Sequence, residues 1–240
     1  MITGWLPPDA SSYGRDIDSV FRLILYVVGA WFILAEGLLV AFVYRYRRRA
    51  GVGARHITGE TARQAAWILV PAAVVLMLDL AIDNAGAGAW REVKEEMPVS
   101  QLEVKVTAMQ FAWVFTYPGP DGKFGTADDL TSAGKLHVPM GAVVRLDLSS
   151  LDVIHSFAVP NLRLRQDVVP GRTIPAWFKA TRPGTYEIEC TELCGEYHYR
   201  MRASLIVQTP AEYQAWAHKH WPAAKKSAQV DDRRLMAAAQ

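Results

Sequence analysis

The sequence predicts two membrane-spanning helices followed by an all-β domain outside the membrane. Three observations carry this reading. Two long apolar runs lie in the first third of the chain. A dense group of arginines sits between them. After Pro98 the pattern changes to short alternating segments separated by Pro-Gly turns. Of the 240 residues 51% are hydrophobic, high for a chain with 21% charged residues, so the apolar residues must be concentrated. The net charge of +2 gives no argument for a nucleic-acid partner.

Residues 1–19 contain Asp9, Arg15, Asp16 and Asp18 and no apolar core, which predicts an outer N-terminal segment without a cleavable leader. The first span is placed at about 20–44, interrupted by Arg22 and Glu36 and closed by Tyr44, Tyr46 and the run Arg47 to Arg49. The second is placed at about 65–83, with Pro71 inside, which neighbouring groups in a membrane can accommodate. The connecting loop carries Arg45, Arg47, Arg48, Arg49, Arg55 and Arg63. The positive-inside rule puts that loop in the cytoplasm, and so puts both termini and the β domain on the extracytoplasmic side. Glu36 is ionisable within lipid, which makes it a candidate for a proton path or for pairing with another subunit.

The helical hairpin is expected over 20–97, the β domain over 98–222 and a disordered tail over 223–240. In the β domain, Leu102, Val104 and Val106 alternate with Glu103, Lys105 and Thr107, the pattern of a half-buried strand. Similar segments follow at 110–117, 136–138, 143–148, 154–159, 174–179, 185–190 and 203–208. Many short strands with regular turns predict a β-sandwich or barrel. Thr209-Pro210-Ala211-Glu212 reads as the start of a closing helix. The loop at 118–130 looks inserted; its Asp121, Asp128 and Asp129 read as a solvated hairpin, with calcium as the alternative.

The chemistry concentrates in CTELCGEYHYRM, residues 190–201. Cys190, Cys194, His198 and Met201 offer two thiols, an imidazole and a thioether, and soft donors with imidazole suit copper. Gly195 lets the backbone turn sharply between them. His155 is the candidate distant partner, with Asp152 beside it. The two cysteines also suit a short disulfide, and a Cys/His set also suits zinc, although zinc seldom uses methionine.

Four stretches resemble cytochrome c oxidase subunit II: DVIHSFAVPNLRLRQDVVPGR at 152–172, RPGTYEIECTELCGEYHYRM at 182–201, MQFAWVFTYP at 109–118, and the Trp67 to Pro71 spacing. The resemblance covers roughly residues 20–210. It implies a cupredoxin-like Greek-key barrel holding a dinuclear copper centre, CuA. By the resemblance Cys190 and Cys194 bridge the coppers, His155 and Met201 ligate one, and His198 and the backbone carbonyl of Glu192 ligate the other. It further implies a magnesium ion shared with the catalytic subunit through the Glu192 carboxylate. The implied partners are a haem-bearing catalytic subunit I, other oxidase subunits, a cytochrome c-type donor and membrane lipids.

The chain departs from the family pattern in two places. Phe111 follows Gln110 where the family usually has the tryptophan that receives electrons, so Phe111 and Trp113 are the candidates for electron uptake. Gln64 stands where many members have a glutamate at a proton channel, and Glu60 lies one helical turn earlier. Glu36, Glu60 and Gln64 are therefore the candidate proton-path residues. The predicted function is electron transfer from the donor through CuA to the catalytic subunit, where oxygen is reduced with coupled proton translocation. The alternative is the CuA subunit of a related nitric oxide reductase. A quinol oxidase subunit would lack the copper ligands, and a copper-delivery protein would lack the Met-terminated loop.

Overall fold

The computed structural model describes residues 6–53 and 58–221. The tail expected from 223, and Arg55, lie outside the described residues. The chain divides into a helical unit, residues 16–92, and a β unit formed by residues 1–15 and 93–240.

The helical unit holds α1, Gly14–Arg45, and α2, Ala62–Trp90. Both outrun the apolar stretches that predicted them. Hydropathy marks where a helix suits lipid, whereas capping and backbone geometry decide where it stops. At the start of α2 the Thr61 side chain accepts from Gln64 N–H, and the Gln64 side chain reaches back to Thr61 N–H, a reciprocal capping box. The helix continues through Pro71 and through Ala and Gly residues to Trp90, followed by one π turn, Arg91–Glu95. Neither helix buries any of its most apolar 18-residue window. Large side chains such as Phe32 and Trp67 are exposed. Surfaces this apolar are unstable against water and suited to lipid.

The β unit is built from ten strands in two five-stranded sheets. They are β1 (Leu102–Met109), β2 (Ala112–Tyr117), β3 (Leu130–Ala133), β4 (Lys135–Pro139), β5 (Val143–Ser150), β6 (His155–Val159), β7 (Leu164–Val168), β8 (Ile174–Lys179), β9 (Gly184–Cys190) and β10 (Arg202–Gln208). One sheet runs β3-β2-β1-β5-β8 and the other β4-β10-β9-β6-β7. The β1–β5 and β4–β10 pairs are parallel and the others antiparallel. The chain crosses repeatedly between sheets, in keeping with the expected Greek-key class. Alternation puts Val104, Val106, Trp113, Phe115, Leu146 and Leu148 of one sheet in the core. Leu136, Phe157, Val159, Ile188 and Leu205 of the other are buried as well.

Two strands, β3 and β7, were not anticipated. Both are sheet edges. An edge strand can present polar residues along much of its length, so the hydrophobic alternation that reveals inner strands weakens. In β7 only Leu164 and Val168 are buried, with Arg165, Gln166 and Asp167 between them.

The N-terminal segment is also more structured than its composition suggests. Ala10 N–H donates to Asn161 O at 2.9 Å, Thr181 N–H to Ala10 O at 2.8 Å, and Ser12 N–H to Lys179 O at 3.0 Å. Tyr13 is fully buried, its ring edge-on to Trp177 and its hydroxyl donating to Trp177 O. Residues 10–13 thus strap onto the β unit beside the end of β8. At the other end, α3 (Pro210–His220) starts in a capping box of Thr209 and Glu212 and lays Trp216 flat on His137 of β4.

Candidate metal centre

Two parts of the β unit meet at one end. β6 begins at His155, and β9 ends at Cys190, opposite Phe157 in register. The chain then loops out and returns at Arg202, which pairs with Glu189. The loop is closed at its base by Cys190 N–H donating to Met201 O, and tied to β6 by Thr191 N–H donating to Ser156 O. Inside it, His198 N–H donates to Gly195 O and Met201 N–H to His198 O, forming a tight 3-10 turn. Gly195 sits at φ 140°, a region open essentially to glycine alone. A Cβ there would lie 2.8 Å from Gln110 Nε2 and 3.0 Å from Phe111 Cζ.

These constraints converge the predicted donors. His155, Cys190 and Cys194 place their ligand atoms within 4.8 Å of one another, all buried. The two sulfurs are 3.8 Å apart, and both cysteines are free. A disulfide holds its sulfurs about 2.05 Å apart, so the bridge alternative does not describe this pair. Cys190 Sγ lies 3.9 Å from His155 Nδ1 and 3.3 Å from Glu192 O. Cys194 Sγ lies 3.5 Å from His198 Nδ1 and 3.7 Å from Met201 Sδ. Burial and the neighbouring Cys190 sulfur push the Cys194 thiol up. Two sulfurs, two imidazoles, a thioether and a carbonyl form a donor set that fits copper.

Asp152 orients the His155 ring. Its Oδ1 lies 2.8 Å from His155 Nε2, so that nitrogen carries the proton and Nδ1 turns its lone pair toward Cys190. Partial burial alone would raise the Asp152 pKa. Hydrogen bonds from His155 and from the N–H groups of Gln110 and Val153 prevail and hold the carboxyl at about 2. Asp152 is therefore both a turn cap and a support for His155. Gln110, given no role from sequence, links the two halves of the site. Its N–H donates to Asp152 Oδ2 and its side-chain amide donates to Cys194 O. Its partners stand 42 and 84 residues away, so no local pattern could have flagged it.

The remaining candidates fall in different places. Trp113 is 0% exposed, its ring edge-on to His155 and Phe157, so it lies behind the site and cannot touch a donor directly. Phe111 is half-buried and meets the exposed ring of Tyr197. Glu36 lies within α1, Glu60 is exposed just ahead of α2, and Gln64 belongs to the α2 capping box. In the 118–130 loop, Asp121 accepts from Lys123 N–H, Asp129 from Gly125 N–H, and Asp128 from the Thr126 hydroxyl, an arrangement of turn caps.

Residues 107–209 match the family model for the cytochrome c oxidase subunit II periplasmic domain. Cytochrome c oxidase subunit 2 of Thermostichus vulcanus is 33% identical, over 90% of this chain and 79% of that one. The chain belongs to the cytochrome c oxidase subunit II family. Alternative cytochrome c oxidase subunit 2 of Bradyrhizobium diazoefficiens is 30% identical, over 88% of this chain and 82% of that one. Among solved structures, the periplasmic domain of subunit II of cytochrome oxidase from Bradyrhizobium japonicum is 28% identical. It covers 52% of this chain and 96% of its own, with a TM-score of 0.47. Family membership makes the chain a subunit of a haem-copper oxidase, implies copper at the cluster, and matches the cupredoxin-like β unit to the domain that the family model describes as periplasmic. The two long apolar helices agree with a membrane protein.

Proposed function

We propose that this chain receives single electrons from a c-type cytochrome at a dinuclear copper centre, CuA. It passes them to a haem-bearing catalytic subunit that reduces oxygen with coupled proton translocation. The observation that carries the reading is the pairing of donors around the two sulfurs. Cys190 has His155 and the Glu192 carbonyl beside it, and Cys194 has Met201 and His198. A sulfur that bridges two metals needs one donor of each metal on its flanks. In the assignment of His155 with Met201 to one copper, and His198 with the Glu192 carbonyl to the other, both sulfurs have that environment. Bound there, two coppers sharing one electron supply a redox site whose geometry changes little on reduction.

The protein's own part is to hold the donors still and dry. Asp152 fixes the His155 tautomer, Gln110 ties the loop to β1's end, and Trp113 and Phe157 wall the site on the core side. The Glu192 carboxylate is proposed to share a magnesium ion with the catalytic subunit. Glu36 and Glu60 are proposed to serve proton uptake in the helical unit, with Gln64 beside them as the residue that caps α2. The arginine-rich loop between the helices supports a cytoplasmic position for that loop, and an outer position for the β unit and both termini.

The test is spectroscopic. The full chain, purified in detergent and loaded with copper, is expected to bind two coppers and give a purple product with seven-line copper hyperfine structure. Cys190→Ser or Cys194→Ser is expected to abolish that signature. A four-line single-copper signal from the unaltered chain would overturn the ligand assignment.

A further inference from the structure

We propose that His137 is a proton-sensitive latch for α3: in acid the imidazole that stacks on Trp216 takes a charge, and the helix is released from the β unit. The latch uses none of the metal donors and works whether or not copper is bound. α3 is 11 residues long. A helix of that length is marginal in water by itself, so its packing holds it. That packing centres on one indole. Trp216 stacks on His137 of β4 with centroids 4.3 Å apart and planes 10° apart. It also stacks on His220, one turn later in α3, at 5.4 Å and 27°. The strand side of the contact is fixed. His137 N–H donates to the Tyr117 hydroxyl at 2.7 Å, and that hydroxyl donates to His137 O at 3.1 Å. The His137 ring donates from Nδ1 to Gln208 Oε1 at 3.2 Å, so Nε2 is the nitrogen that gains a proton in acid.

A single imidazolium over an indole is attracted by it. Two on the same indole repel each other, and Lys135 of β4 adds a further positive charge. The other groups facing the ring supply no anion. Gln208 of β10 is neutral, and burial keeps the phenols of Tyr117 on β2 and Tyr213 on α3 protonated, pushing Tyr213 up to about 12. Burial pushes the His137 pKa down; the Gln208 hydrogen bond opposes this, and His220 and Lys135 reinforce it. His137 therefore binds a proton less readily with α3 docked than with α3 released. Docking is strongest above about pH 6.5, the ordinary histidine value, and weakens as pH falls through and below it. On the proposed extracytoplasmic side, outward proton translocation moves the pH in that direction. The latch itself does not depend on which side that is.

The experiment is amide hydrogen exchange of the full chain in detergent, read by mass spectrometry at about pH 7.5 and about pH 5.5, one unit either side of the ordinary histidine value. Protection of α3 is its rate as a free peptide divided by its rate in the chain, a ratio that cancels the chemical dependence of exchange on pH. It is expected to fall severalfold in acid while protection of β5 holds. His137→Phe keeps a stacking ring that cannot be charged, and is expected to make α3 protection equal at the two pH values. His218→Gln, at an exposed position in the last turn of α3, is expected to leave the fall in place. Equal protection of α3 at both pH values in the unaltered chain would overturn the latch. So would a fall shared equally by β5, a fall that survives in His137→Phe, or one abolished by His218→Gln. Should His137→Phe release α3 at both pH values, His220→Gln decides. Loss of the second charge is expected to shrink the fall, and a fall of unaltered size would overturn the latch.

Discussion

At the scale of single residues, the donors are held by side chains that are not donors themselves. Asp152 is the clearest. It accepts a hydrogen bond from His155 Nε2 and is itself held by the N–H groups of Gln110 and Val153. Asp152→Asn keeps the shape but exchanges a charged acceptor for a neutral amide, which can present either its oxygen or its NH2 to the ring. The His155 tautomer then loses its constraint. Outer partners of metal-bound histidines are typically worth about 10–100-fold in affinity. Copper affinity of the full chain, measured by competition with a chromogenic chelator, is therefore expected to fall within that range while the fold persists by circular dichroism. An affinity indistinguishable from the unaltered chain would reduce Asp152 to a turn cap. Of the site, the grouping of Cys190, Cys194, His198 and Met201 with His155 was legible, because soft donors at short spacing are rare in sequence. Gln110 was not, because its contacts form only after the end of β1, Asp152 and the 190–201 loop are brought together.

Among the elements, legibility followed exposure. Inner strands alternate because one face meets the other sheet, and β1, β2, β5 and β10 could be read from that alternation alone. The edges β3 and β7 escaped notice for the reason given by their position. Helix ends were misplaced because apolar composition fades before helical hydrogen bonding does. The strap at residues 10–13 was invisible for a third reason: it is held mainly by backbone groups, which carry no sequence signal. Its energetic weight rests on one side chain. Tyr13 is fully buried against Trp177 and spends its hydroxyl on Trp177 O. Removing a buried large aromatic typically costs about 3–5 kcal/mol. Tyr13→Ala is thus expected to lower the chemical-denaturation stability of the β unit within the full chain by that order. Tyr13→Phe should lose only about 1 kcal/mol, the worth of one hydrogen bond. Equal stability of Tyr13→Ala and the unaltered chain would mean that the strap is not part of the folded unit.

On the scale of the whole molecule, the strap and the two helices together bear on topology. Residues 10–13 are hydrogen-bonded to the same β unit that begins again at residue 93. If both helices cross a bilayer, as proposed, the chain leaves one side of the membrane and returns to it. The proposed side rests on charge. Arg45 ends α1, Arg47, Arg48 and Arg49 follow it, and Arg63 lies in the first turn of α2. Moving that many guanidinium groups outward is opposed by the bias that retains positive loops in the cytoplasm. Single cysteines make the question measurable, because the native pair is buried. In intact cells a membrane-impermeant maleimide is expected to label Glu103→Cys, on an exposed position of β1, without permeabilisation. Gly51→Cys, in the loop between the helices, is expected to react only after the membrane is opened. The reverse pattern would place the copper donors on the cytoplasmic side, out of reach of an extracytoplasmic cytochrome. It would overturn the proposed direction of electron delivery even if the copper spectrum were as expected.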